Sequence, residues 1–219
     1  MPRAGRVRIR AGIKNGPLLK TLIDWVPREA GRQEEFWDGL DQSGLINLFN
    51  IPARQVHIFA YTLPNNCIIV KRSQTASAEP NITDETYKRR LQTQVNLNRK
   101  YEHARHDLAD CHEPDFTLIF PDAELKDGAP VLSGVAPIKI VIAEKDRHQL
   151  ESARFEVMLY ADLRFIFEDE EGFTPFTFLW DTKGLTPGEH ILTVNILGYN
   201  NHCGARSHKV FIRSVDPKP

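Results

Sequence analysis

The sequence predicts an all-β chain: two antiparallel β-sandwiches joined by a polar linker and one surface helix. Three observations carry this. Short segments rich in β-branched and aromatic residues recur through both ends of the chain, with Gly, Pro and Asp between them. The middle, residues 73–113, has a different texture, first small and polar, then helical in the order of its charges. Finally, 41% hydrophobic and 9% aromatic residues suffice for packed cores, which excludes wholesale disorder.

Residues 1–72 read as the first β module. "RVRIRAGI" alternates with period two, and Arg3, Arg6, Arg8 and Arg10 read as the solvent face of that strand rather than a phosphate-binding arm. "PLLKTLIDWV" reads as a strand because Pro17 and Pro27 bracket only nine residues. "ARQVHIFAYTL" and "NCIIVKR" follow, separated by the turn signals "VPREAG", "DQSG" and "LPNN". In residues 73–113, "SQTASAEP" is the linker and Thr83 or Asp84 can cap the helix. Its narrow stripe, Tyr87, Leu91 and Val95, lays that helix across a surface, and it is the only helix the pattern supports.

Residues 114–219 read as the second sandwich. "DFTLIF", "IKIVIAE", "ARFEVMLYADLRFIFEDEEG", "PFTFLWDT", "EHILTVNILGY" and "HKVFIRSV" are its strands. In the fifth, Leu192, Val194 and Ile196 share one face and Ile191, Thr193 and Asn195 the other, the pattern of a half-buried strand. The acids of "FEDEEGF", Glu168–Glu171, read as a solvated hairpin tip, since their spacing is not that of an EF-hand loop.

The order of pieces in "FEVMLYADLRFIFEDEEGFTPFTFLWDTKGLTPGEHILTVNILGYNNHCGARS" resembles a bacterial immunoglobulin-like domain over residues 114–215. The resemblance rests on "PF", a tryptophan strand ending in Asp, and a "PGEH" turn before a long strand. It implies that Pro175 sets the start of a strand, Trp180 fills the inter-sheet core, Asp181 ties the following loop and Gly188 allows the turn before His190. "LLKTLIDWVPREAG" and "FWDGLDQSG" are similar to the FlgD-like module of flagellar hook-capping proteins over residues 5–72, departing from it at "LINLFNIPARQVHIF". "FWDGLDQSG" also echoes "FLWDTKGLTPGEH", so Trp37 reads as core, Asp38 as a tie to the loop backbone, and Gly39 and Gly44 as points of chain reversal.

These resemblances imply two immunoglobulin-like sandwiches and a non-catalytic structural or protein-interaction module of a bacterial surface or secreted assembly. The implied partner is a protein or larger assembly, a homo-oligomer among them. The implied location is periplasmic, cell-surface or extracellular. No signal-like segment lies near Met1, which leaves the cytoplasm as the alternative. A net charge of −1 offers no global field for nucleic acid, and no apolar run approaches the roughly 20 residues of a membrane span.

Two function classes compete with this reading. In "YEHARHDLADCHEPD", His103 and His106 share a helical face and Cys111 with His112 follow, a set that could reach a zinc or copper ion in an accessory subunit of a redox complex. The spacing matches no specific zinc signature, and surface histidines on a polar helix are the plain reading. Leu108 stands where Cys-x-x-Cys-His haem attachment needs its first cysteine. The other competitor is a carbohydrate-binding accessory module, with Trp25 as the stacking ring if it is exposed. Cys203, in "YNNHCGARSH", lies in an expected loop and could bridge Cys111. No Gly-rich phosphate loop, G-x-S-x-G or H-E-x-x-H occurs, so no cofactor and no catalytic residue is assigned.

Overall fold

The computed structural model describes residues 1–62, 112–199 and 202–214, and strands dominate it, as the all-β prediction requires. β1 (Gly5–Ile13), β2 (Leu18–Arg28) and β3 (Arg54–Thr62) form an antiparallel sheet in the order β2–β1–β3. The helix expected after Thr83, and the strand "NCIIVKR", lie outside the described residues.

The second half begins with β4 (Phe116–Ile119), β5 (Glu124–Lys126), β6 (Ala129–Leu132) and β7 (Val135–Ile142). A helix, α1 (Glu144–Ala153), leads to β8 (Phe155–Ala161), β9 (Arg164–Asp169), β10 (Phe176–Asp181), β11 (Gly188–Gly198) and β12 (Cys203–Ile212). Two sheets result, β10–β7–β4 and β5–β6–β12–β11–β8–β9. Alternate residues of β7 (Ala136, Ile138, Ile140, Ile142) meet Val157, Leu159, Leu192, Val194 and Ile196 of the larger sheet, with Trp180 and Phe176 closing the core. Trp180 is therefore inter-sheet core, as expected.

Four expectations need correction. The helix α1 has a single apolar residue buried, Leu150, so it shows no stripe in the sequence; Glu144 and Asp146 in its first turn are its remaining signal. Cys203 to His208 belong to β12 rather than to a loop. The acids Glu168–Glu171 lie where the chain leaves β9 for β10 in the facing sheet, not at a hairpin tip. Strand β11 is buried on both faces: Thr193 and Asn195 are as enclosed as Val194. What covers that outer face is the first module. Asn195 accepts the Leu18 N–H at 2.9 Å and donates to the Leu18 carbonyl at 2.8 Å, and Ser43 Oγ accepts the Ser207 N–H at 2.8 Å.

The acidic stretch before that contact is a turn. Asp38 accepts the N–H of Leu40, and Asp181 accepts that of Lys183, so the two Trp-Asp pairs build the same local tie. Gly39 and Gly44 have φ of 83° and 72°, and a Cβ on Gly39 would strike the Phe49 ring. Trp37 is half-buried against the small core of Ala11, Leu19, Ile46 and Leu48. Asp41 is the buried member: its Oδ1 accepts both Leu45 N–H (2.6 Å) and Ile46 N–H (2.9 Å).

Removing that carboxylate strands one buried donor and one half-buried donor, so Asp41→Ala should lower unfolding free energy by about 2 kcal/mol in urea titrations, more than Asp38→Ala. A pH dependence follows from His190, which is buried with one ring nitrogen on Asp162 and the other at the Thr186 carbonyl. Burial alone would lower its pKa, but the Asp162 and Thr186 hydrogen bonds outweigh it and raise the value above the ordinary 6.5. The folded state thus holds this proton more tightly than the unfolded chain. Its stabilisation is complete below the unfolded value of about 6.5 and is lost as pH rises through the raised folded value. Thermal melts from pH 6 to 9 should show a falling midpoint, with the slope reduced in His190→Gln.

Candidate functional site

The first strand's arginines are not a solvent face. Arg8 is 7% exposed, and β1 is the middle strand of its sheet. Between Val7↔Val26 and Ile9↔Ile23 the β1–β2 register slips, and Trp25 in this bulge takes a positive φ of 50°. The bulge brings Trp25 over Arg8. The guanidinium lies 4.6 Å from the Trp25 ring centre and 4.8 Å from that of Phe59, its neighbour on β3. Tyr61 stacks on Trp25 at 4.8 Å, and His57 stacks beyond Phe59 at 6.3 Å.

The result is a ladder, Tyr61–Trp25–Arg8–Phe59–His57, across one face of the sheet. Burial, then the adjacent Arg10, lowers the Arg8 pKa, with Asp24 acting in the opposite direction. Arg10 lies 3.8 Å from Asp24. Trp25 is 2% exposed, so it is no platform for a sugar, and the carbohydrate-binding expectation loses its ring.

A groove of about 340 Å³ separates this face from the sandwich, lined by Arg8, Arg10, His57 and Phe59 on one side and Leu197 and Cys203 on the other. Cys203 is a free, buried thiol whose pKa burial pushes up, against the pull of Arg10 and Arg8, so its thiolate is disfavoured. Cys111, its expected bridge partner, lies outside the described residues, as do His103 and His106. Of the predicted quartet only His112 is described. It pairs with Asp146, whose other oxygen accepts the Asp115 N–H, and its ring lies 5.7 Å from His202. No group of three or more His, Cys, Asp or Glu among the described residues is arranged to hold a metal ion.

Beyond the ladder lies β3, an edge strand among the described residues. β3 pairs with β1 from Arg54↔Ile13 to Thr62↔Gly5 without a register shift, and among the described residues no strand pairs with its other side. Both its faces are open: Val56 and Ile58 point one way, Phe59 and Tyr61 the other, and Ile58 is 67% exposed. Sequence reasoning missed this. "VHIFAYT" carries apolar residues at both parities, which marks a strand but not its place in a sheet, and the strand order puts it at an edge among the described residues.

The ladder makes a direct prediction. Arg8→Ala should cost about 2 kcal/mol in denaturant titrations through lost stacking and packing, and Arg8→Lys should recover only part because an ammonium cannot lie flat between two rings.

No protein-family model matches this sequence, and no curated protein is significantly similar to it. Among solved structures, matches to parts of the chain include the following. The fibronectin(III)-like modules of Clostridium thermocellum CbhA match at 19% identity and a TM-score of 0.33, over 46% of this chain and 47% of theirs. An endo-beta-1,4-mannanase from Thermotoga petrophila matches at 15% identity and 0.34, over 55% of this chain and 24% of its own. A CARDB domain from Pyrococcus furiosus, solved in complex with di-metal ions, matches at 15% and 0.29, over 47% and 91%. The chain thus spans about half the length of the fibronectin-like structure. At these scores the architecture stands on the strand pairing and core described above. Among the described residues no helix is long and apolar enough to cross a membrane.

Proposed function

We propose that the chain is a non-catalytic structural or protein-interaction module of a bacterial surface or secreted assembly, and that β3 is where it meets its partner. The observation behind this reading is the edge itself. From Gln55 to Thr62 it carries no Lys, Asp, Glu or Pro and no bulge, the features that normally keep an edge from pairing. The other edges among the described residues are shorter, charged or committed: β5 has three residues and β4 four, β10 has six and ends in Asp181, β9 carries Arg164, Glu168 and Asp169 with a register shift, and β2 bonds the sandwich through Leu18. Strand addition at β3 would combine main-chain hydrogen bonds with alternate side chains on both faces.

A photo-crosslinking residue placed at Ile58 or Tyr61 in the native host should give a discrete protein adduct, and the same residue at Arg164 on β9 should not. Equal labelling at all three positions, or none at β3, would sink the reading.

A further inference from the structure

We infer that the groove between the first sheet and the sandwich is a binding site for a small organic carboxylate, with its anionic end on Arg8 and its apolar body against the groove's aliphatic wall. This goes beyond the reading of β3 as a contact edge and does not rest on it.

The first argument is Arg8. Its guanidinium is held between the Trp25 and Phe59 rings at 4.6 and 4.8 Å, and the residue is 7% exposed. Stacking serves the two faces of the guanidinium plane, but its N–H groups lie in that plane and need acceptors. Nε and Nη1 are buried with no hydrogen-bond partner. An unmet charged donor is costlier than a neutral one, and Arg8 lines the groove. A carboxylate is the planar acceptor that matches a guanidinium fork.

The second argument is charge. Arg8 and Arg10 both line the groove, and His57, which faces Arg10 across the β1–β3 pair, adds a third basic side chain. Among the described residues no carboxylate lines it. Asp24 stands 3.8 Å from Arg10, and Glu113 has one oxygen committed to the Ala205 N–H at 3.0 Å. Cys203 brings no negative charge, because burial holds its thiol neutral. A basic lining of this kind repels a metal cation and attracts an anion.

The third argument is size and lining. The groove holds about 340 Å³, at the lower end of small-molecule sites, which run from about 300 to 1,000 Å³. That is less than one turn of helix fills, a cylinder about 10 Å across and 5.4 Å long, so a small molecule fits where a polypeptide segment does not. Ile13, Pro17, Leu18 and Leu197 supply the aliphatic wall beside the basic groups. A few convergent polar groups in an apolar lining is the composition of a ligand site.

Benzoate is the probe. Isothermal titration of the full chain at constant ionic strength should show saturable one-to-one binding with a Kd of about 1 mM or tighter. Benzyl alcohol keeps the ring without the charge, and inorganic phosphate keeps the charge without the ring. Each should bind at least tenfold more weakly. His57→Glu sets a carboxylate opposite Arg10 at an exposed position, and should weaken benzoate at least tenfold while circular dichroism stays unchanged. Leu197→Trp fills the groove from the sandwich side with both arginines in place, and should do the same. The two control ligands do not depend on either variant folding. No saturable uptake, as when a carboxylate of this chain already occupies the groove, would overturn the inference. So would a control ligand equal to benzoate, or benzoate binding that survives both variants. Neither Ile58 nor Tyr61 lines the groove, so the photo-crosslinking result stands or falls separately.

Discussion

The two-way hydrogen bond between Asn195 and the backbone of Leu18 is the contact on which the arrangement turns. It lies on β11, a central strand of the larger sheet, whose inner face carries Leu192, Val194 and Ile196 into the sandwich core. The outer face holds Thr193 and Asn195, polar groups that cannot be enclosed without partners. Thr193 finds Ser207 across the β11–β12 ladder at 3.0 Å, and Asn195 finds both groups of one peptide unit. Each bond is worth about 1 kcal/mol net, but an unmet buried amide costs about 1–3 kcal/mol, so the geometry is held more by the penalty of misfit than by the gain.

That contact also orients the first module. Its small core, Ala11, Leu19, Ile46 and Leu48, is completed by Ile191 and Leu163 from the sandwich. Ser43, in the turn organised by Asp41, accepts the backbone of β12. With one edge and part of one face committed to the sandwich, the sheet keeps β3 on its far side. The Arg8 stack stiffens the same sheet, tying β3 to β2 through Phe59 and Trp25 across β1. Among the described residues the edge strand β3 thus sits on a braced support rather than on a loop.

The local elements were legible because their signals are local. Proline spacing marks β2, alternation marks β1 and β11, and the Trp-Asp turns read as ties from Asp38 and Asp181 to the loop backbone, which the structure places on the N–H two residues on. The α1 helix was not legible, since a helix with one buried apolar residue has no periodicity to detect. Nor was the fate of the arginines: alternation says that Arg8 and Arg10 share a face, but not that a bulge sets an indole against it.

What the sequence determined by itself, then, was the all-β class, most strand positions and the chemistry of individual turns, because propensity and period two act over a few residues. What only the tertiary structure decided was which faces and edges are covered. Asn195 and Ile58 show it from opposite sides. A polar residue on the nominally wet face of β11 is enclosed, and an apolar residue in the middle of β3 is bare. Burial depends on which strand lies alongside and which layer lies above, and those neighbours come from positions as far apart as residues 18 and 195.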